Sequence, residues 1–310
     1  MINSHAQSIK KVQTLQIQKK TLATLVNKLE ERNANKPKAM EKLCSRQDQI
    51  SSEMTGIDYI TSSQMTPCKE GGLVMGSGSY GACQRLSMWK NLKVCVKKVH
   101  GKINAKEVKH EAAMLKKLQQ SLYVPVLLGI NIIQQPFYIV TSFHSATPES
   151  SLTLHSALMK CTSIKKEKWM SIFHKCALGL KSLHDLGVIH NDLHQKNILL
   201  DRLNGHTHPV IIDFGKACKV GNGRCRKVGD VVMYSELHPW VAPETVRGED
   251  SESEQSDVYS FGYIINKFNR VAKVDTIGTL ALHCQSQKCY RPSMGQVIES
   301  LKEFCRNDKT

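Results

Sequence analysis

A change in the apolar pattern near residue 150 limits the folds that this chain can adopt. Before it, short alternating runs such as GLVMGSGSYGACQRL and LKVCVKKVH predict strands, as do VPVLLGINI and FYIVTSF. Between these runs, NAKEVKHEAAMLKKLQQ has the apolar spacing of a helix. After residue 150, helical patterns such as KWMSIFHKCALGLKSLHDLG dominate. A strand-rich part followed by a helix-rich part predicts an α+β fold of two lobes, and a cleft between lobes is a common ligand site.

The first 66 residues differ from the remainder, being rich in Gln, Lys, Ser and Asn and poor in aromatic residues. Apolar residues at a- and d-like positions over fewer than three heptads predict an amphipathic helix that ends before Pro37. These residues are Val12, Leu15, Leu22, Val26 and Leu29. Such a helix either packs on its own domain or self-associates through residues 9–30. The polar run 51–69 is interpreted as a linker.

The charge balance and the cysteines limit the partners and the compartment. Lys plus Arg is 43 and Asp plus Glu is 27, a net charge of +16 that suits an anionic partner such as a nucleotide or an acidic protein. A nucleic-acid partner is the weakest option, since no basic stripe interleaved with aromatic residues accompanies the charge. No apolar run approaches the roughly 18 residues of a membrane span, and MINSHAQSIKKVQ lacks the apolar core of a signal peptide. Eleven scattered cysteines then suit a reduced intracellular compartment, with the cytoplasm preferred and the nucleus as the alternative.

A glycine-rich turn joins the first two predicted strands. Gly76, Gly78 and Gly81 form G-x-G-x-x-G, and a strand rather than a helix follows them. This order disfavours a dinucleotide fold, which needs a helix start at the pyrophosphate. A glycine hairpin instead lets backbone N–H groups approach a phosphate closely.

A lysine in the third strand, VCVK, requires an anionic partner. Lys97 lies beside apolar strand residues, where an unpaired buried ammonium is costly. Glu111 begins an E-x-x-x-L-x-x-L pattern in the following helix and is the preferred partner, whereas Glu107, one helical turn earlier, is the alternative. A Lys97–Glu111 pair would direct the ammonium towards nucleotide phosphates.

A polar cluster separates two short apolar runs in GVIHNDLHQKNILLD, which spans residues 187–201. Asp192 is followed by Asn197, and Asp213 ends the apolar run VIIDFG sixteen residues beyond Asn197. Phosphoryl transfer needs a base near the acceptor hydroxyl and oxygen ligands for the magnesium ion at the phosphates. These three side chains supply those groups, and Lys196 could neutralise charge on the transferring phosphoryl group.

With these motifs in the right order, residues from about 70 to 306 resemble the eukaryotic protein kinase family. The matching motifs are GSGSYG, VCVK, HNDLHQKN, DFG, WVAPE, DVYSFG and the late RPS. The resemblance implies a bilobal protein-kinase-like domain at 67–306, with a small β-rich N-lobe at about 67–143 and a helical C-lobe at about 144–306. Residues 1–66 would form a preceding extension.

The resemblance also implies a function and a set of site residues. ATP and Mg²⁺ would be the cofactors, and proteins carrying Ser, Thr or Tyr hydroxyls would be the substrates. Asp192 would be the catalytic base, Asn197 and Asp213 the metal ligands, and Lys97 the ligand of the α and β phosphates. The other nucleotide-binding positions would be Gly76, Ser77, Gly78, Ser79, Gly81, Glu111 and the gatekeeper Thr141.

Several residues depart from the family pattern. Asn191 replaces the arginine that usually precedes the base, which predicts less dependence on activation-segment phosphorylation. His194 stands where serine/threonine kinases carry lysine, and Lys196 where many tyrosine kinases carry arginine. Trp240 favours the tyrosine-kinase-like group, but Pro239 is displaced, so the acceptor type stays open.

Two alternative functions fit parts of the same pattern. HNDLHQKNILL also resembles the signature of aminoglycoside- and choline-type phosphotransferases, but these generally lack the A-P-E segment and its arginine partner, here Glu244 and Arg291. A pseudokinase that binds ATP without efficient transfer is the other alternative. The short spacing of 34 residues between Asp257 and Arg291 also predicts that a substrate-docking helix is shortened or absent.

Overall fold

A computed structural model describes eight segments of the chain, all within the compact unit Gly56–Thr310. These segments are residues 56–67, 74–77, 83–99, 105–145, 152–159, 166–203, 206–225 and 228–307. The predicted helix at 9–30 lies outside the described residues, as do Gly78, Ser79 and Gly81 of the glycine turn.

The N-terminal part of this unit is an antiparallel sheet of six strands. The strands are β1 (Met65–Pro67), β2 (Val74–Ser77), β3 (Cys83–Trp89), β4 (Leu92–Val99), β5 (Leu127–Asn131) and β6 (Phe137–Ser142). Their order is β1-β3-β4-β6-β5, and β2 also pairs with β3. A two-residue turn joins β3 to β4, with φ of 48° at Lys90 and 64° at Asn91, as a type I′ hairpin requires.

Alternation along β4 separates the core from the cleft. Val94 and Val96 are buried on one face, whereas Cys95 and Lys97 face the cleft on the other. Helix α1 (Ala105–Lys117) packs its apolar face against β5 and β6. This face carries Val108, Ala112 and Leu115, as the helical spacing predicted.

Residues 56–67 belong to the sheet rather than to a linker. Ile57 and Ile60 are buried, and Tyr59 bridges Ile130 in β5 on the far edge of the sheet. The buried Tyr138 hydroxyl donates to the Ile60 carbonyl at 2.8 Å. The interpretation of 51–69 as a linker was therefore wrong for this part, because two buried isoleucines in a polar run give no periodic signal.

The C-terminal part is mainly helical. Its helices are α2 (Leu154–Met159), α3 (Lys166–Asp185), α4 (Val231–Leu237), α5 (Pro243–Val246), α6 (Glu254–Ala272), α7 (Asp275–Cys284) and α8 (Met294–Asn307). Short strands accompany them, namely β7 (Leu152–Thr153), β8 (Val188–Ile189), β9 (Ile198–Leu203), β10 (His206–Ile211) and β11 (Cys218–Lys219). The small β-rich lobe and the helical lobe together form the predicted α+β architecture.

The core of the helical lobe centres on aromatic side chains from α3 and α6. Trp169, Phe173 and Phe268 are nearly inaccessible, and their ring centroids lie 5.1–5.8 Å apart. Tilted and edge-on aromatic pairs of this kind add roughly 0.5–1.5 kcal/mol each beyond the buried area. In the continuous stretch 228–307, α7 is the one α-helix between α6 and Arg291, and it has ten residues. None of the described helices has the length and the apolar character needed to cross a membrane.

Candidate active site

A buried aspartate holds the loop that carries Asp192. Asp257, in the first turn of α6, is fully buried and accepts hydrogen bonds from the backbone N–H groups of His190 and Asn191 at 2.8 and 2.9 Å. It also lies 3.0 Å from Nε2 of His184. A buried carboxylate needs such donors, and these bonds fix the backbone directly before Asp192.

His190 ties the same loop to the strand that precedes Asp213. Its Nε2 donates to the Ile212 carbonyl at 3.1 Å, and its Nδ1 accepts from the Asp192 N–H at 3.3 Å. The two bonds together assign the neutral Nε2–H tautomer. The His190 ring also packs against Phe214 of the DFG motif, with ring centroids 5.1 Å apart.

Both carboxylate oxygens of Asp192 have a donor. Trp240 Nε1 donates to Oδ1 at 3.0 Å, and Lys216 Nζ lies 2.9 Å from Oδ2. Burial on its own would raise the pKa of Asp192, but the charge and hydrogen bond of Lys216, together with the Trp240 bond, lower it below its usual value. Asp192 is therefore ionised at neutral pH, as a proton acceptor must be.

Asn197 and Asp213 are joined to Asp192 through the backbone. The Asn197 side-chain nitrogen donates to the Asp192 carbonyl at 3.0 Å, which leaves its side-chain oxygen as the remaining acceptor. The Ile212 N–H in turn donates to the Asn197 carbonyl at 3.0 Å, so the residue before Asp213 is fixed to the same loop. These bonds bring the three segments into one framework.

Lys97, Glu111 and Asp213 form a charged group that joins the sheet, α1 and the DFG segment. Lys97 Nζ lies 2.9 Å from both carboxylate oxygens of Glu111 and 2.8 Å from Asp213 Oδ1. The predicted Lys97–Glu111 pair is confirmed, and the alternative Glu107 is exposed. Because Glu111 lies on the buried face of α1, an unpaired carboxylate there would be very costly.

The pKa values in this group follow from one ammonium shared by two carboxylates. Burial would lower the pKa of Lys97, but Glu111 and Asp213 outweigh burial and raise it. Burial is the main cause of the raised pKa of Glu111. Burial would also raise the pKa of Asp213, but Lys97 lowers it, so Asp213 keeps its negative charge.

The oxygen ligands that remain fit a hard divalent cation such as Mg²⁺. Asp213 contacts Lys97 through Oδ1, and Asn197 donates through its side-chain nitrogen, so Asp213 Oδ2 and the Asn197 side-chain oxygen would be the candidate metal ligands. Within the described segments, no group of three or more His, Cys, Asp and Glu side chains is suited to hold a metal by itself.

A cleft that is open to solvent lies beside this group. Leu115, Ile139 and Leu199 give it apolar walls, and Cys95 and Thr141 face each other across β4 and β6. Lys97, Glu111 and Asp213 line its charged end. One apolar compartment with charged groups at one end suits an aromatic base joined to a phosphate chain.

The segment that follows β6 also lines the cavity and is fixed to the helical lobe. Ser142, Phe143 and His144 contribute to its wall. His144 Nδ1 lies 2.9 Å from Asp201 Oδ2, and its Nε2 lies 2.8 Å from the Ser142 hydroxyl. Asp201 belongs to β9, so this contact joins the two lobes at the cavity. Ser142, His144 and Asp201 were not among the predicted site residues.

Asn191 connects the loop of Asp192 to the segment after DFG. Its side-chain nitrogen donates to the Lys216 carbonyl at 3.1 Å and contacts Cys218 Sγ at 3.2 Å. Its backbone has φ of 63°, in the left-handed region that asparagine tolerates better than most residues. Asn191 therefore fixes this segment by direct contact.

The structure therefore brings Lys97, Glu111 and Asp213 together, with Asp192 and Asn197 on the adjoining loop. Gly76 and Ser77 lie in β2. Lys196 is exposed, and no described contact joins it to Asp192. The cation that contacts Asp192 is Lys216, which the sequence analysis missed because a lysine after DFG has no periodic signal. Asp257 was matched to a motif but not recognised as the anchor of the loop.

The second predicted ion pair is also present. Arg291 donates to both carboxylate oxygens of Glu244, at 2.6 and 2.7 Å, and its side chain is fully buried. It further donates to the carbonyls of Ser286 and Gln255. The pair joins α5, directly after Trp240, to the chain that leads into α8.

The fold and the site define a two-lobed α+β domain. Its cleft has an apolar compartment and, at one end, the charged side chains of Lys97, Glu111 and Asp213. A family model described as "Protein kinase domain" matches residues 70–274, which is more than half of the chain. The chain belongs to the protein kinase family.

Similar proteins carry kinase names but are much longer. Over 203 residues (63% of this chain), the sequence is 31% identical to a protein of Acanthamoeba polyphaga mimivirus named as a serine/threonine-protein kinase/receptor, of which the match covers 11%. It is 26% identical over 267 residues (80% of this chain) to cysteine-rich receptor-like protein kinase 46 of Arabidopsis thaliana, covering 40% of that protein. It is 42% identical over 91 residues (29% of this chain) to dual specificity testis-specific protein kinase 1 of Rattus norvegicus, covering 14% of that protein.

Proposed function

We propose that this protein transfers the γ-phosphate of ATP to hydroxyl groups of protein substrates. The observation that carries the proposal is the ionised Asp192, held on a fixed loop that is bonded to the segments of Asn197 and Asp213. A base next to oxygen ligands, beside a cavity with a charged end, is what phosphoryl transfer requires.

In this mechanism each residue has one task. Asp192 orients the acceptor hydroxyl and accepts its proton as the new O–P bond forms. Lys97, held by Glu111, binds the α and β phosphates. Asn197 and Asp213 would hold magnesium, which would supply positive charge to stabilise the transferred group. Positioning and charge neutralisation then supply most of the rate enhancement.

We place the adenine in the apolar compartment beside Thr141. Cys95 Sγ and the Thr141 hydroxyl are hydrogen-bonded, and burial raises the pKa of the Cys95 thiol to about 11. The thiol therefore stays protonated and contributes as a small apolar wall. The turn of Gly76, Ser77, Gly78, Ser79 and Gly81 would cover the phosphates through its backbone N–H groups.

A phosphotransfer assay tests this proposal. Purified protein is incubated with labelled ATP, Mg²⁺ and a mixed peptide library, and the labelled amino acid is identified after hydrolysis. We expect labelled peptides, and hydrolysis will show whether the label is on serine, threonine or tyrosine. Asp192→Asn should abolish transfer but retain ATP binding. Asp185→Asn is the matched control, because Asp185 is exposed on α3 and pairs only with Lys181 among its described contacts.

One observation favours a second candidate, a pseudokinase that binds ATP without efficient transfer. Each carboxylate oxygen of Asp192 already has one donor, Trp240 at Oδ1 and Lys216 at Oδ2, so an acceptor hydroxyl would have to share an oxygen with one of them. ATP binding without label on any peptide would support this candidate. Label on an aminoglycoside or on choline instead of peptides would identify a small-molecule kinase.

The domain boundaries, the compartment and the self-association are also proposals. We propose a kinase domain at 67–306, to whose sheet residues 56–66 also contribute, after an extension of residues 1–55, together with a cytoplasmic location and self-association through residues 9–30. Seven of the cysteines in the described segments are free thiols, which suits a reducing compartment. A truncation that removes residues 1–30, compared with the full chain by light scattering, tests the self-association.

A further inference from the structure

Neither of the cations that the loop pattern suggests is placed at Asp192. His194 packs on Trp240 with ring centroids 4.5 Å apart, and its Nδ1 accepts from the Lys196 N–H at 3.2 Å. Burial lowers the pKa of His194 to about 4, so the ring is neutral at pH 7. Lys196 is exposed, and its charge acts on His155 on α2. The loop itself therefore delivers no positive charge to the base.

Lys216 delivers that charge from the other side of the site. Its Nζ lies 2.9 Å from Asp192 Oδ2, and a quarter of its side-chain surface is exposed to solvent. Its backbone carbonyl accepts from the Asn191 side chain, so the residue is fixed to the loop that carries the base. Two residues in sequence, Gly215 and Phe214, separate it from the metal-binding candidate Asp213.

We propose that Lys216 is a further catalytic residue, whose ammonium contacts the transferring phosphoryl group next to Asp192. This inference rests on the proposed function. When an acceptor hydroxyl binds Asp192, the ammonium on its flexible stem moves from the carboxylate to a phosphoryl oxygen. The O–P bond to the acceptor forms, the bond to ADP breaks, and the hydroxyl proton goes to Asp192. Lys216 keeps its proton and neutralises the charge of the phosphoryl oxygens throughout the step.

Lys216→Met tests this role, because it keeps the length of the side chain and removes the charge. We expect kcat to fall about 10²-fold, as for loss of one preorganised group at a developing charge, with little change in ATP affinity. Lys216→Arg should retain activity within about tenfold, since it keeps the charge. Lys219→Met is the control, because Lys219 is an exposed lysine three residues along the same segment.

A pH profile separates this role from a purely structural one. Lys216 lowers the pKa of Asp192, so its removal should move the acid limb of kcat/KM to higher pH in Lys216→Met but not in Lys219→Met. Thermal melts of all variants monitor the fold. Because the Lys216 side chain is a quarter exposed and Trp240 still donates to Asp192, we expect a smaller loss of melting temperature than for removal of one partner from a fully buried pair.

The outcomes distinguish this inference from the proposed function. Transfer by the wild type with an unchanged kcat in Lys216→Met would overturn the inference and leave the proposed function standing. A higher kcat in Lys216→Met would make Lys216 an inhibitory contact and would overturn the inference. A loss of kcat in Lys196→Met but not in Lys216→Met would assign the cation to Lys196 and would also overturn it. Absence of transfer by the wild type would remove both.

Discussion

The Glu244–Arg291 pair allows a quantitative test of how the helical lobe is held together. The Arg291 side chain is 0% exposed and that of Glu244 12%. Besides Glu244, Arg291 donates to the Ser286 carbonyl at 2.9 Å and the Gln255 carbonyl at 3.0 Å, and it lies over the Tyr259 ring at 5.0 Å. Glu244→Gln removes the negative charge and turns an NH₂ group towards guanidinium donors, while the cation stays buried.

The expected cost follows from this burial. Leaving one partner of a buried pair uncompensated costs about 3–5 kcal/mol. For a domain of this size, about 1 kcal/mol corresponds to roughly 2–4 °C in melting temperature, so Glu244→Gln should melt roughly 6–20 °C lower. Thermal and urea unfolding of the purified protein measure the change.

Two further variants isolate the cause. Glu249→Gln makes the same chemical change at a carboxylate that is 56% exposed and 3.3 Å from Arg247, and it should cost under about 1 kcal/mol. Glu244→Gln combined with Arg291→Met removes the buried charge as well and should be more stable than Glu244→Gln alone. If Glu244→Gln and Glu249→Gln had equal midpoints, burial of the guanidinium would not be the source of the stability.

Three other predictions concern the site. Asp213→Asn should lower transfer by about 10²-fold or more and leave the melting temperature nearly unchanged, because asparagine also tolerates the φ of 67° at this position; an active variant would contradict the metal-binding role. The lowered pKa of Asp192 means that the base stays ionised on acidification, so kcat/KM should be flat from neutrality down to about pH 5; an acid limb near pH 6.5 would argue against Asp192 as the base. Because Asn191 holds the segment after DFG directly, phosphatase-treated protein should be active, and a steep rise on phosphorylation of Tyr234 or Ser235 would refute this.

Periodic patterns predicted those parts of the fold that bury a regular apolar face. The alternating run LKVCVKKVH forms a strand with Val94 and Val96 in the core and Lys97 on the other face, and Glu111, which begins the E-x-x-x-L-x-x-L pattern, lies on the buried face of α1. A charged residue on a buried helix face needs an opposite charge, which is why Glu111 rather than the exposed Glu107 pairs with Lys97.

Contacts that depend on tertiary structure produce no periodic pattern in the sequence. Ile57 and Ile60 are two apolar residues in a polar run, and they pack on the sheet only because Tyr138 and Ile130 are there to meet them. Lys216 reaches Asp192 across a segment 24 residues away, at a distance that no local pattern encodes. The order of the motifs therefore predicted the cleft, whereas the polar neighbours of Asp192 could be identified only from the three-dimensional structure.

The backbone at Asn191 and Asp213 explains how the residues of this site are kept in place. Both have φ above 60°, a conformation that costs most residues free energy and persists only where surrounding contacts enforce it. Asp257 enforces it at Asn191 by accepting the backbone N–H, and Lys97 contacts Asp213 from the opposite lobe. Both positions carry Asn or Asp, the side chains that tolerate left-handed backbone best apart from glycine. The Asn191 side chain then bonds the backbone carbonyl of Lys216, and the Asp213 side chain bonds the Lys97 ammonium, so the two turns connect the base loop, the segment after DFG and the sheet.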